Sequence, residues 1–123
     1  MNHIELFAGC GGLSLGLEKS GFKLLLANEL SPMASETFAY NHLGVNLSDP
    51  SSPDMSKVLW LSSQFAKTDL PNRLRENPQE AAGRGNQRTS DLKNQTDSEL
   101  RRSLLVGSIK DLNDILEEDT KGL

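Results

Sequence analysis

One cysteine, Cys10, and two histidines, His3 and His42, are all the thiol and imidazole groups in 123 residues. A single thiol excludes an intrachain disulfide framework. With two well-separated histidines it also excludes a cysteine-rich zinc site. The opening residues Met-Asn-His-Ile-Glu lack a basic stretch and a long apolar run, so no signal peptide is expected. No segment approaches the roughly 18 apolar residues of a membrane span. These shortages predict a soluble, cytoplasmic chain in a reducing compartment, with no membrane partner. Positive charge is also short: Lys and Arg total 13 against 17 Asp and Glu, a net charge of −4. Affinity for nucleic acid leans on cations that neutralise phosphates, which argues against this segment alone gripping a polyanion. Arg73, Arg75, Arg84, Arg88, Arg101 and Arg102 make the second half locally more basic. They are interleaved with acids and lack aromatic neighbours, so a solvated face is favoured over a nucleic-acid patch.

Hydrophobic residues make up 36% of the chain, below the level of a well-filled core, and they are unevenly spread. Ile4-Glu5-Leu6-Phe7 reads as a buried parallel strand that stops at glycines. Leu13, Gly16, Leu17 and Ser20 fall on one face of a helix, which Gly21 ends as a left-handed cap. Phe22 to Asn28 reads as a second buried strand. Ser31 and Pro32 open another helix, with Met33, Ala34, Phe38 and Asn41 along one side and its end before Gly44. This β-α-β-α unit over residues 1–45 predicts an α/β fold with a parallel sheet.

Residues 46–103 change character. Asp54 is expected to cap a short helix carrying Val58, Leu59, Leu61 and Phe65. Between Arg75 and Glu99 only Ala81, Ala82 and Leu92 are apolar, so the segment reads as a polar, mobile insertion, partly disordered. Structure resumes over 104–123. Leu104-Leu105-Val106 is a third strand ending at Gly107. Ser108 caps a helix with Asp111 as its capping-box partner, and Ile109, Leu112, Ile115 and Leu116 form its apolar stripe.

The stretch "LFAGCGGLSLGLEKSGF" is the densest in chemistry. A strand, a glycine loop and a helix form a ligand site because unpaired helix N–H groups point at the loop. Residues without Cβ let a ligand approach the backbone. The spacing of Gly9, Gly11, Gly12 and Gly16 is neither the dinucleotide fingerprint nor a P-loop. Glu29, twenty residues after Gly9, ends the second strand, where a carboxylate can accept both hydroxyls of a ribose. An adenosine-type cofactor without a pyrophosphate is one interpretation. The other is a glycine-rich packing turn, with Glu29 capping the next helix.

"ELFAGCGGLSLGLEKSGF" resembles the first motif of the DNA (cytosine-5) methyltransferases, typically Asp-Leu-Phe-Ala-Gly-x-Gly-Gly-x-x-x-Gly-(Leu/Phe)-(Glu)-x-x-Gly, and the match spans eighteen positions. "ANEL" resembles the second motif, and "LLVGSIKDL" resembles the third, usually Gly-Asp-Ile. The resemblance implies a partial Rossmann-like fold with about three strands and S-adenosyl-L-methionine as cofactor. It implies that Phe7 stacks near adenine and that Gly9, Cys10, Gly11 and Gly12 present backbone to the methionine end. It further implies that Glu29 binds ribose, that Leu30 packs on adenine, and that Ser108 and Ile109 occupy the third-motif position. Glu5 stands where aspartate is commoner. Ser108 replaces the usual aspartate, which weakens the adenine contact or shifts it to Asp111.

Enzymes of that family attack C6 of a flipped cytosine with a cysteine in a Pro-Cys motif. Here Met33, Ser51, Asp54, Asn72 and Gln79 follow the five prolines. Cys10 therefore fills a variable slot in the cofactor loop, although a helix N-terminus could also activate it as a thiol. No catalytic residue is assigned in this chain. The resemblance implies the N-terminal, cofactor-binding part of a restriction-modification type of enzyme acting on double-stranded DNA. Such a part would be inactive alone, as a truncation or as half of a split enzyme completed by a second polypeptide. A non-catalytic binding subunit and a nicotinamide-nucleotide module are the alternatives.

Overall fold

The computed structural model describes residues 1–78, 88–92 and 100–121, the last four as backbone only. Four parallel strands are present among them, not about three, in the spatial order β1-β2-β4-β3. Their ranges are β1 Asn2–Leu6, β2 Lys23–Glu29, β3 Val58–Trp60 and β4 Ser103–Val106. Helix α1 (Gly12–Lys19) and helix α2 (Pro32–Phe38) follow the first two strands, and α3 (Leu70–Arg75) follows β3. Helix α4 (Ile109–Lys121) follows β4. Parallel neighbours need crossovers, and α1 supplies the first one between β1 and β2.

Side chains alternate across the sheet as period two demands. Leu104 and Val106 join Ala27, Phe38, Val45, Val58 and Trp60 in one core. Leu105 and Leu59 face the other way, against Leu61, Leu112 and the partly buried Ile109 and Ile115 of α4. Phe38 is fully buried, so truncation to alanine costs about 3–5 kcal/mol. Opposite β1, Leu25 is an extra residue, since His3 pairs with Leu24 and Ile4 with Leu26. This bulge is why Leu24 and Ala27, three apart, reach the same core.

The helix ends follow local chemistry. Ser31 Oγ accepts from Ala34 N, with Pro32 in the first turn. After Ser20, Gly21 adopts φ +90°, with Gly21 N donating to Glu18 O and Phe22 N to Leu17 O. That is the left-handed cap expected there.

Several expectations are corrected. Val58, Leu59 and Trp60 form the strand β3 after a 3₁₀ turn at Met55–Lys57, not a helix capped by Asp54. A short apolar run buried on both sides has no period to separate strand from helix. In α1 the fully buried residue is Ser14, while Leu13 is exposed. The buried Glu5 carboxylate requires a donor, and the Ser14 hydroxyl supplies it. Helix α2 buries Pro32, Ser35 and Phe38, leaving Met33 exposed. A π-type turn over Ala39–Leu43 then resets the angular phase before Gly44.

Strand β1 is not buried as a parallel strand usually is: Ile4 and Leu6 are exposed while Glu5 is buried. It pairs with β2 alone among the described residues. In α4, Leu112 is buried but Leu116 is exposed. Within the polar insertion, Arg73, Glu76 and Asp91 are buried. Ala81, Ala82 and most of that stretch lie outside the described residues.

Candidate functional site

Because every strand runs in the same direction, the segments that leave their C-terminal ends gather along one edge. The glycine loop leaves β1 there, Leu30 follows β2, Leu61-Ser62 follow β3, and Gly107-Ser108 follow β4. This is the edge where open α/β sheets bind ligands. Three backbone links bind the loops to it: Ala8 N donates to Asn28 O at 3.0 Å, Gly107 N to Glu29 O at 2.9 Å, and Leu61 N to Val106 O at 2.8 Å.

Glu29 organises the centre of this edge. Its Oε1 accepts from Gly9 N at 2.9 Å, twenty residues away, and its Oε2 accepts from Ser31 N at 2.6 Å. One carboxylate thereby ties the glycine loop to the start of α2. Each oxygen keeps a lone pair for a further donor.

The glycines divide into two kinds. Gly9 has φ +57°, and a Cβ on it or on Gly12 would meet nothing within 4 Å. Both present bare backbone to open space. Gly11 is different: at φ +97° its absent Cβ would lie 2.1 Å from His42 Nε2. The His42 ring fills that space, 4.7 Å from the Phe38 ring, with Nδ1 3.8 Å from Glu18 Oε2. Gly107 likewise leaves room for Leu61, whose Cβ would be 2.8 Å from an added one. Phe7, a non-glycine residue at φ +56°, carries an exposed ring at the loop's start. A left-handed conformation at such a residue costs of order 1–3 kcal/mol. Cys10 is a free, exposed thiol.

Beneath the loop, Glu5 is buried and bonded to Ser14 Oγ, with His3 Nε2 3.9 Å away. Desolvation raises the Glu5 carboxyl above its ordinary value, against the opposing pull of His3. Both histidines are thus held in buried contacts under the loop.

Farther along the edge a cleft has Leu30, Pro32, Gly107 and Ser108 on one side. Trp60, Ser62, Glu76 and Pro78 close the other, and Asp111 joins from α4. It is partly open to solvent, and the space within it is about 20 Å³. Ser108 Oγ accepts from Lys110 N at 3.1 Å, so this residue caps α4 as expected. The expected reciprocal bond from Asp111 to the Ser108 backbone is absent from the hydrogen bonds among the described residues. Desolvation raises the Asp111 carboxyl, with Arg88 pulling it the other way. Ile109 is half-buried and packs on the α4 side of the core.

Phe7, Gly9, Cys10, Gly12, Glu29, Leu30 and Ser108 therefore share one edge; His42 fills the Cβ side of Gly11, and the Ile109 side chain packs toward the core under α4. Sequence reasoning missed Asn28, whose Nδ2 donates to Leu105 O at 2.9 Å and to Gly107 O at 3.1 Å. It also missed the wall from Trp60 to Pro78, for which no local pattern exists. Among the described residues no three His, Cys, Asp or Glu converge as a metal site. None of their helices is long and apolar enough to cross a membrane.

A parallel sheet with a glycine loop after its first strand and an acid ending its second defines a protein with a partial Rossmann-like α/β fold. Comparison with known families sharpens this class. The C-5 cytosine-specific DNA methylase family matches residues 1–70, and the chain belongs to that family. Over 42 residues it is 52% identical to the Type II methyltransferase M.NgoPII of Neisseria gonorrhoeae, covering 34% of this chain and 12% of that protein. Over 47 residues it is 45% identical to the Type II methyltransferase M.DdeI of Desulfomicrobium norvegicum, covering 38% and 11%. A longer similarity, 36% over 66 residues, links it to M.NgoFVII of Neisseria gonorrhoeae, covering 46% and 17%. The chain thus spans about a tenth of the length of the first two relatives. No solved structure matches it.

Proposed function

We propose that this chain binds S-adenosyl-L-methionine along the edge formed by Phe7–Gly12, Glu29–Leu30 and Ser108–Ile109. The observation that carries this is the Glu29 carboxylate, held by Gly9 N and Ser31 N beside glycines that face open space. The residues fit such a cofactor. Glu29 retains lone pairs for two ribose hydroxyls, and Leu30 offers an apolar surface to a base. Gly9 and Gly12 let the amino-acid end approach the backbone, and Phe7 contributes an exposed ring. Ser108 keeps its hydroxyl proton to donate, because its oxygen acts as acceptor in the cap. When bound, the cofactor would supply an electrophilic sulfonium methyl group.

Within the family the reaction is transfer of that methyl to C5 of cytosine in double-stranded DNA. We assign this chain the cofactor-binding share and leave it inactive alone. None of its five prolines precedes a cysteine, so the nucleophile is supplied by polypeptide outside these 123 residues, either the same protein or a separate subunit. Cys10 is a loop residue in this scheme.

Calorimetry with S-adenosyl-L-methionine and with NAD separates this proposal from a nicotinamide-nucleotide module. Binding of NAD alone would overturn it. Glu29→Ala should weaken S-adenosyl-L-methionine binding by roughly 1.5–3 kcal/mol, the loss of a charge-assisted hydrogen-bond pair. Undiminished affinity would refute the ribose assignment.

A further inference from the structure

We propose that Ser62, Glu76 and Pro78, in the segment between β3 and β4, form a wall of the cofactor cleft, set in place by Arg88, and that this wall limits which substituents the bound base can carry. This rests on the cofactor assignment above and extends it to residues outside the shared motifs. Ser62, Glu76 and Pro78 come from this segment, yet they line the same cleft as Leu30 and Ser108. They lie past Leu30, on the side away from the glycine loop, and so meet the base end of a ligand whose ribose is at Glu29.

The wall is held by side chains. Arg88 donates from Nε to Ser62 Oγ and pairs through Nη2 with Glu76 Oε1 at 3.4 Å. Glu76 is buried and also accepts from Ser63 Oγ at 2.7 Å and from Gln64 N at 3.1 Å. Removing Arg88 therefore frees Ser62 and leaves Glu76 short of a cation, while the Arg73–Asp91 pair still anchors the segment behind it. Arg88 also exerts its field on Asp111 of α4, so one guanidinium acts on both lips of the cleft. The space of about 20 Å³ within the cleft is roughly that of one water. A base seated at the cleft's mouth meets the wall, and a substituent directed into the cleft finds room for no more than about one water there. Arg88 is a positioning residue in this scheme and touches no ligand.

The test compares S-adenosylhomocysteine with its N6-benzyl analogue by calorimetry, on the chain itself and on Arg88→Ala and Pro78→Gly. In the parent chain the analogue should bind at least about a hundredfold more weakly, as expected for a bulky group without space. In either variant the ratio should narrow about tenfold or more, while S-adenosylhomocysteine itself changes by less than about fivefold. A merely structural role for Arg88 would weaken both ligands together and leave the ratio unchanged. Equal binding of the two ligands to the parent chain overturns the proposal, as does an unchanged ratio in both variants. If Arg88→Ala fails to fold, Pro78→Gly decides alone. Failure of the parent chain to bind S-adenosylhomocysteine overturns the cofactor assignment instead.

Discussion

The two ends of the sheet's C-terminal edge are built by different physics. At the β1–β2 end the loop is shaped by backbone: positive φ at Phe7, Gly9 and Gly11, and one carboxylate bridging Gly9 N and Ser31 N. At the β3 end the shape comes from buried ionic side chains. Arg73 is fully buried and forked on Asp91, with Nη1 to Oδ2 at 2.7 Å and Nη2 to Oδ1 at 3.2 Å. It also donates to Phe65 O and lies 5.3 Å from the Trp60 ring centroid. Asp91 in turn accepts from Trp60 N at 2.9 Å, so the pair clips residues 88–92 onto β3. A backbone loop advertises itself through glycines at fixed spacing. An ion-pair clip uses residue types common on any polar surface, and so it resembles an unstructured insertion.

The largest test of this contrast is Arg73→Met. Leaving Asp91 buried and unpaired should cost about 3–5 kcal/mol of stability, read as a lowered urea midpoint. Adding Asp91→Leu should recover much of it, because the stranded charge is gone. A small loss from the single variant would mean that the clip contributes little.

Next in size, Gly11→Ala should destabilise by about 2–4 kcal/mol, combining a strained φ with overpacking against His42. Gly12→Ala should be neutral or slightly stabilising to the fold, within about 1 kcal/mol, yet weaken cofactor binding. Equal melting losses in the two variants would erase the division between packing and ligand-facing glycines.

A smaller effect concerns pH. The Glu5 carboxyl is raised above its ordinary value of 4.5 by desolvation. The folded state therefore holds this proton more tightly than the unfolded state. The contribution is greatest below the unfolded value and is lost as pH rises through the raised folded value. Glu5→Gln, which still offers an oxygen to Ser14, should flatten that part of the stability–pH curve. An unchanged slope would show that other groups carry it. Smallest of all, Cys10→Ser should alter stability and cofactor affinity by less than about 0.5 kcal/mol, as judged by melting and calorimetry. A large loss would return the thiol to the chemistry.

Much of the first half was legible because its signals are local. Ser31-Pro32 cap a helix, Gly21 ends one, and Glu29 terminates its strand whatever surrounds them. The faces of α1 and α2 were not legible. A buried Glu5 draws Ser14 inward, and a π-type turn changes the phase after Phe38. Neither can be seen from apolar periodicity. Val58–Trp60 failed for a different reason: three apolar residues buried on both faces look alike as strand or helix.

By itself the sequence determined the glycine loop, its partner acid and the family, because these depend on residues close along the chain or at a set spacing. Only the tertiary structure decided that Gly11 serves His42, that β3 extends the sheet beyond β4, and that a polar insertion walls the cleft. Those outcomes depend on which side chains meet across tens of residues, and burial makes such meetings decisive by removing the water that would otherwise satisfy their charges.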